Sequence, residues 1–313
     1  MNLPEKIHSM LLPQPLKQGD LLGIVAPAGM LGDESLFHAG IRALTEMGFE
    51  AKFPRQLWPG AGYLADCDDN RAAELNSLFA DPEVKGLVAL RGGYGCLRIL
   101  DKIDLENIAS HPKLLVGFSD ITVLQNYLYH KTGLVSLHGP TLTSLAGSSR
   151  ETVEKFHASL LGQWTAPIYA ETIAQLQGRG RVTAPLIGGN LASLITVLGT
   201  KYDSSWAGTI LFLEDVNEPL YKVDRMLTQL AAAGKFSGLK GIILGDFSPQ
   251  GSGANIDVLG YKQSVWNRII ELCPSNDIPV WANFPAGHCA HNITFPLGVL
   301  ATMDCSGRTL TFA

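Results

Sequence analysis

Short apolar runs alternate with amphipathic stretches along the first half of the chain. Apolar runs at 21–26, 84–90 and 113–118 lead into glycine-containing turns, and helical patterns cover 33–47 and 120–130. Apolar runs of four to eight residues bounded by turns are typical of buried strands. Strands separated by helices build a parallel sheet that is covered by helices on both faces. We therefore predict an α/β domain with a parallel sheet for this half of the chain.

The pattern weakens after residue 151 and a second alternation follows it. Strands and helices are predicted in turn at 209–213, 221–233, 239–244 and 258–272. Short strands then close the chain. We predict an N-terminal domain over 1–165, a linker over 166–182 and a C-terminal domain over 183–313.

Composition limits the class of protein. The 313 residues are 46% hydrophobic and 17% charged, which argues against a disordered chain and against a coiled coil. Two stretches, 182–200 and 278–303, contain no Asp, Glu, Lys or Arg. Glycine interrupts the first and proline and histidine interrupt the second, so neither is predicted to span a membrane. We interpret these two charge-free stretches as strands of a buried sheet and as the lining of a functional site from which water is largely excluded.

Charge and cysteine content point to a compartment and exclude some partners. A net charge of −5 gives no sign of the basic surface that binds nucleic acid or an acidic membrane. The first seven residues lack the pattern of a secretory signal. The five cysteines form no CxxC pair, which favours free thiols in a reducing compartment. We therefore expect a cytoplasmic protein without nucleic-acid or membrane partners.

The first candidate for chemistry is the segment GFSD at 117–120, between a predicted strand and a predicted helix. A serine on such a turn projects its hydroxyl, and the free amides at the start of the helix lie where an oxyanion would develop. The nucleophile elbow has this logic, although Ile121 stands where the Gly-x-Ser-x-Gly form has its second glycine. The alternative is an ordinary helix cap, in which Ser119 or Asp120 only binds backbone amides.

A second glycine-rich turn, RGGYG at 91–95, follows another predicted strand. Gly92 and Gly93 let the backbone approach a ligand, so an exposed amide could complete an oxyanion hole. A tight turn and a phosphate-binding loop are the alternatives. The Gly-x-Gly-x-x-Gly fingerprint is absent, so a nucleotide site has little support.

Three carboxylates stand at or after the end of the strand predicted at 209–213: Glu214, Asp215 and Glu218. A carboxylate in this place can orient a histidine, as the acid of a catalytic triad does. Surface charge and a cap for the next helix are the alternatives. Sequence position does not separate the three, and we favour Glu214 because it directly follows the apolar run.

His288 lies in the segment GHCAH at 287–291, within the second charge-free stretch. A histidine in apolar surroundings requires a hydrogen-bond partner, and its pKa shifts readily. The alternatives are a satisfied core histidine and a metal ligand, since His291 and Cys289 are close in sequence. Neither His-Glu-x-x-His nor a structural zinc spacing occurs, so we expect no metal. Of the other histidines, only His138 follows a predicted strand in a way that could place it at a site.

These segments together resemble the LD-carboxypeptidase family of serine peptidases, one branch of which confers self-immunity to microcin C. The matching stretches run through nearly the whole chain: GIVAPA at 23–28, RGGYG at 91–95, GFSD at 117–120, GP at 139–140, GGNL at 188–191, LEDVNE at 213–218, DRML at 224–227 and GH at 287–288.

The resemblance implies a Ser119–Glu214–His288 triad and an oxyanion hole formed by backbone amides of Asp120 and of the Gly92–Gly93 turn. It implies an amidotransferase-like N-terminal α/β domain and a smaller, β-rich C-terminal α/β domain, with the site in the cleft between them. It also implies a homodimer without cofactor that releases D-alanine from murein tetrapeptides. Such an enzyme must bind a terminal carboxylate, for which Arg91 is one candidate.

Three other hypotheses remain at this point. The same triad could hydrolyse a peptidyl nucleotide, as in the immunity branch, with a tryptophan to stack adenine; Trp58, Trp164, Trp206 and Trp281 are available. A ligand-binding α/β protein without catalysis would need no such constellation of residues. A zinc peptidase would need ligands that the sequence does not offer in a known spacing.

Overall fold

The computed structural model describes residues 9–54, 57–169, 171–251 and 257–313. It divides the chain into two compact units. The first comprises Met1–Gln163 and Phe295–Gly298, and the second comprises Trp164–Thr294 and Val299–Ala313. Each unit is built around one sheet.

The described residues form fourteen strands and ten α-helices. The strands are β1 (Leu21–Val25), β2 (Glu50–Lys52), β3 (Val84–Ala89), β4 (Leu114–Gly117), β5 (Ser136–His138), β6 (Ile168–Tyr169), β7 (Ala174–Gln177), β8 (Arg181–Asn190), β9 (Ile210–Val216), β10 (Gly241–Ser248), β11 (Val280–Ala282), β12 (Phe295–Leu297), β13 (Leu300–Asp304) and β14 (Thr309–Phe312). The helices are α1 (Glu34–Glu46), α2 (Asp68–Ala80), α3 (Cys96–Ile99), α4 (Leu105–Ser110), α5 (Ile121–Thr132), α6 (Leu142–Leu145), α7 (Arg150–Leu160), α8 (Leu191–Ile195), α9 (Leu220–Ala232) and α10 (Val258–Leu272).

The sheet of the first unit has the strand order β12-β5-β4-β3-β1-β2. Every neighbouring pair is parallel except β5 and β12, which are antiparallel. The four residues of β4 are all buried, and so are five of the six residues of β3. Strands buried on both faces read as continuous apolar runs, which is why the sequence predicted this sheet. Its carboxyl edge carries the turns at 91–95 and 117–120.

The first helix of this unit is capped at its start and followed by a glycine at its end. Asp33 caps α1 by accepting a hydrogen bond from the backbone amide of Ser35 at 2.8 Å. Gly48, with φ 89°, follows the end of the same helix, where an L-residue would be strained. The predicted helix over 33–47 therefore corresponds to α1 and one flanking residue at each end.

The sheet of the second unit has the order β6-β14-β13-β8-β9-β10-β11-β7. Its central strands β8 to β11 are parallel, and β7, β13, β14 and β6 extend it through antiparallel pairs. The predicted class, an α/β fold with an N-terminal parallel sheet and a β-rich C-terminal part, is confirmed. Among the described helices, none is both long and apolar enough to cross a membrane.

The segment 166–182, expected to be a linker, contains β6, β7 and the first two residues of β8. β6 and β7 are half-exposed edge strands, so they lack the apolar runs by which the other strands were predicted. β8 carries Pro185 and ends in two glycines with positive φ, Gly188 and Gly189. Proline and glycine both weaken the sequence signal for a strand, although tertiary pairing maintains it here.

Candidate active site

The Ser119 turn joins β4, which ends at Gly117, to α5, which begins at Ile121. Ser119 has φ 63° and is partly exposed. A non-glycine residue in this left-handed region costs roughly 1–2 kcal/mol, and such strain concentrates at functional sites. A Cβ added to Gly117 would lie 2.9 Å from Ile121 Cγ2 and 3.1 Å from Ala89 Cβ. The strand, turn and helix therefore have the geometry of a nucleophile elbow, although the second glycine is absent.

The side chain of Asp120 binds the residue after the glycine-rich turn and does not cap α5. It makes no cap hydrogen bond on that helix; instead Asp120 Oδ2 accepts a hydrogen bond from the backbone amide of Cys96 at 2.8 Å. Asp120 is 3% exposed, and burial raises the pKa of its carboxyl group. The carboxylate thus holds the start of α3, directly after the glycine-rich turn, against the Ser119 turn.

Gly92 lies against the side chain of Ser119. A Cβ added to Gly92 would lie 2.6 Å from Ser119 Cβ and 2.7 Å from Ser119 Oγ, closer than real side chains approach one another. The same added atom would lie 3.5 Å from the backbone nitrogen of Asp120. Gly29 also contacts the turn, because its amide donates a hydrogen bond to the Gly92 carbonyl at 3.2 Å. The structure therefore brings Gly92, Ser119 and Asp120 together.

Arg71 was not singled out from the sequence, yet it supports the same turn. Its side chain is fully buried in α2, and its guanidinium donates to the carbonyls of Gly95 and Asp66, each at 3.1 Å, and to the carbonyl of Pro27. Asp68 Oδ1 lies 2.5 Å from Arg71 Nη2 and forms an ion pair with the guanidinium. An arginine on a helix that begins with two aspartates has the pattern of a solvated face, so the sequence gives no signal for this role.

His288 and Glu214 form a hydrogen-bonded pair in the second unit. His288 Nδ1 lies 2.7 Å from Glu214 Oε2. Glu214, near the end of β9, is fully buried, whereas the imidazole of His288 is 22% exposed. Gly287 has φ 109°, and a Cβ added there would lie 2.7 Å from the same carboxylate oxygen. A glycine before the histidine therefore allows the imidazole to approach the buried carboxylate.

The pKa of His288 is set by opposing influences. Burial lowers it, but the hydrogen bond to Glu214 and the negative charges of Glu214, Asp215 and Asp246 together raise it above 6.5. An imidazole whose Nδ1 is bonded to a carboxylate keeps the tautomer in which Nε2 accepts a proton. The pair therefore has the geometry of a general base with its orienting acid.

The three candidate carboxylates have different partners. Glu214 contacts His288, whereas Glu218 Oε2 lies 3.5 Å from Lys222 Nζ. Asp215 accepts hydrogen bonds from the amide of Ala192 at 2.9 Å and from Asn190 Nδ2 at 3.3 Å, which joins β9 to the start of α8. Burial, together with the neighbouring charge of Glu214, raises the pKa of Asp215 to about 7.

Two other side chains from the candidate segments, His138 and Cys289, have no catalytic geometry. His138 is fully buried on β5, with its ring stacked on Phe295 at 5.0 Å between centroids. Burial raises the pKa of the Cys289 thiol to about 11, so this thiol is a poor nucleophile near neutral pH. Within the described ranges, no three His, Cys, Asp or Glu side chains are grouped to hold a metal ion.

Comparison with known proteins assigns the chain to a family. Residues 22–139 match the profile of the LD-carboxypeptidase N-terminal domain, and residues 183–303 match that of the LD-carboxypeptidase C-terminal domain. A Bacillus subtilis (strain 168) protein named probable murein peptide carboxypeptidase is 35% identical over 300 residues, which cover 95% of this chain and 92% of that protein.

Two solved structures extend this similarity to the fold. The crystal structure of muramoyltetrapeptide carboxypeptidase from Oxalobacter formigenes has a TM-score of 0.77 and 29% identity, and the match covers 93% of this chain and 97% of that one. The microcin C7 self-immunity protein MccF in its wild-type apo state has a TM-score of 0.84 and 25% identity. The match covers 97% of this chain and 98% of that one. The chain therefore belongs to the LD-carboxypeptidase family and is a serine-type carboxypeptidase.

Proposed function

We propose that this protein hydrolyses the bond between the L-centre of meso-diaminopimelate or L-lysine and the terminal D-alanine of a murein tetrapeptide. It would do so in the cytoplasm, during peptidoglycan recycling, as a homodimer and without a cofactor. The observation that carries the proposal is Ser119, held in a left-handed conformation against Gly92 in a chain of this family. The hydrogen-bonded pair of His288 and Glu214 supplies the matching base.

In the proposed mechanism His288 removes the proton from Ser119 Oγ, which attacks the scissile carbonyl carbon. Glu214 keeps the imidazole in the required tautomer and stabilises its positive charge. When the tetrahedral intermediate collapses, the C–N bond breaks and His288 returns the proton to the amino group of the departing D-alanine. Water, deprotonated by the same histidine, then hydrolyses the acyl-enzyme ester and regenerates Ser119.

The proposed oxyanion hole consists of backbone amides of Asp120 and of the Gly92–Gly93 turn. Asp120 follows the nucleophile, which is the position that supplies one donor in a nucleophile elbow. The close approach of Gly92 to Ser119 supports the second donor. Losing one such donor typically costs about 3 kcal/mol of transition-state stabilisation, because the dipoles are aligned before the reaction.

We expect the acidic limb of the pH profile of kcat/KM to have its midpoint above 6.5. Only neutral His288 can accept the proton, and its pKa is raised. Replacing Glu214→Gln removes the negative charge that raises this pKa and leaves only a neutral amide oxygen as acceptor. Burial still lowers the pKa, so the limb should move to lower pH. The maximal rate should fall by about 100-fold or more, since the tautomer is no longer fixed. Initial rates of D-alanine release between pH 5 and 9 measure both effects.

Glu218→Gln is the matched control, because Glu218 also follows the β9 run but lies beside Lys222. This variant should keep the wild-type midpoint and rate. If Glu218→Gln shifted the limb and Glu214→Gln did not, Glu218 would be the acid of the triad.

The substrate is tested by incubating purified protein in parallel with a murein tetrapeptide and with processed microcin C. We expect one D-alanine released per tetrapeptide and little hydrolysis of the nucleotide. Of the four tryptophans considered for stacking adenine, Trp206 and Trp281 are buried, at 4% and 0% exposure, whereas Trp58 and Trp164 are half-buried. Preferential hydrolysis of the nucleotide would instead assign the chain to immunity-type chemistry, and hydrolysis of neither would favour a ligand-binding protein.

A further inference from the structure

Arg91 precedes the turn that touches the proposed nucleophile. It lies between β3 and Gly92, and its side chain is half-buried. A Cβ added to Gly29 would lie 2.8 Å from the Gly92 carbonyl oxygen and 3.4 Å from Arg91 Nε. The guanidinium of Arg91 therefore lies beside the same backbone turn that packs against Ser119.

The charge of Arg91 is not matched by a carboxylate among the residues that the structure describes. Its guanidinium donates one hydrogen bond, from Nη1 to the carbonyl of Met30 at 3.1 Å. Two other arginines near this turn share an ion pair with the carboxylate of Asp68, at 2.5 Å for Arg71 and 3.0 Å for Arg98. Since a guanidinium has five N–H donors, Arg91 can still bind an anion through its fork.

The proposed reaction needs an anion site close to this place. In a substrate cut before its last residue, only one nitrogen and one Cα separate the scissile carbonyl carbon from the terminal carboxylate carbon. Standard bond lengths put these two carbons within about 4 Å of each other. Because Ser119 must contact the first carbon, the carboxylate must lie beside the residues that surround Ser119. Gly92 is one of them and Arg91 is its neighbour in the chain.

We propose that Arg91 binds the terminal carboxylate of the departing D-amino acid and thereby limits the enzyme to removing the last residue. The inference rests on the proposed function. Planar guanidinium and carboxylate groups pair through two parallel hydrogen bonds, a geometry that lysine does not reproduce. Arg91 is thus a specificity-determining residue rather than part of the proton-transfer machinery.

The test compares a tetrapeptide that ends in D-alanine with the same peptide ending in D-alaninamide. The amide lacks the negative charge but keeps the scissile bond. For the wild type we expect kcat/KM to favour the acid by about 30-fold, the usual effect of a hydrogen bond to a charged group. Arg91→Met should reduce kcat/KM for the acid by the same factor and leave the amide within threefold, so that the preference disappears. Arg91→Lys should retain only part of it.

Arg98→Met is the matched control, since Arg98 follows the same turn but is paired with Asp68. It should preserve the preference for the acid. An acid-to-amide ratio that is unchanged by Arg91→Met would overturn the assignment, whatever happened to the absolute rates.

Binding measured without turnover separates this inference from the proposed function. In a Ser119→Ala background, calorimetric titration should show tighter binding of the acid than of the amide, and Arg91→Met should abolish the difference. If the wild type released no D-alanine, the proposed function would fall, while a difference that depends on Arg91 would still support the carboxylate site. No preference for the acid in binding would overturn the inference.

Discussion

Replacing Ser119→Ala should abolish D-alanine release, with kcat reduced by about 10,000-fold or more. The substitution removes the oxygen that forms the acyl-enzyme, and neither His288 nor the backbone amides can take its place. Thermal unfolding should remain close to that of the wild type, because Ser119 is partly exposed and alanine bears the same left-handed strain. The measurement is the rate of D-alanine release at saturating tetrapeptide, with the thermal midpoint recorded on the same preparation. Full activity of the alanine variant would exclude the serine mechanism.

A second substitution at this position separates strain from chemistry. Ser119→Gly removes the same hydroxyl but allows φ 63° without a steric cost. It should be as inactive as the alanine variant and about 1 kcal/mol more stable than it, since the left-handed penalty is relieved. If the glycine variant were the less stable of the two, the observed backbone conformation would not be stored strain.

Replacing Gly92→Ala should reduce kcat by about 100-fold or more, as expected when an oxyanion-hole donor is displaced. The new methyl group would lie 2.6 Å from Ser119 Cβ and 2.7 Å from Ser119 Oγ, so either the turn or the nucleophile must move. Gly92 does not have positive φ, so the effect comes from this contact and not from a forbidden backbone conformation. Steady-state kinetics on the tetrapeptide measures the loss.

Gly147→Ala provides a control in the same unit. Nothing lies within 4 Å of a Cβ at Gly147, and its φ is not positive, so the substitution should leave the rate unchanged. Activity of Gly92→Ala within threefold of the wild type would show that the close approach of the two turns is not needed for the reaction.

The sequence predicts the local features of the first unit well, because they depend on neighbouring residues. An apolar run, a glycine and a polar pair placed Ser119 between a strand and a helix, and the structure has β4 and α5 at these positions. The left-handed conformation of Ser119 was not predicted, and it is a finding of the structure. The Asp33 cap of α1 is local in the same sense.

Contacts between distant segments could not be predicted in this way. The carboxylate of Asp120 and the guanidinium of Arg71 both hold the end of the glycine turn, at Cys96 and Gly95, across more than twenty residues. Nothing in the pattern around Arg71 distinguishes it from a solvated helix face. The sequence predicted a carboxylate partner for His288 but could not show which of three it is. Glu214, Asp215 and Glu218 share the same sequence context.

Active-site labelling measures the central claim most directly, namely that Ser119 is activated by His288 and cleaves the substrate. The protein is treated with a fluorophosphonate, its intact mass and modified peptide are determined, and D-alanine release is measured on the same samples. We expect one adduct per chain, on Ser119, with activity lost in proportion to labelling and with much slower labelling of a His288→Ala variant. Full D-alanine release from stoichiometrically labelled protein, or equally fast labelling without His288, would contradict the account.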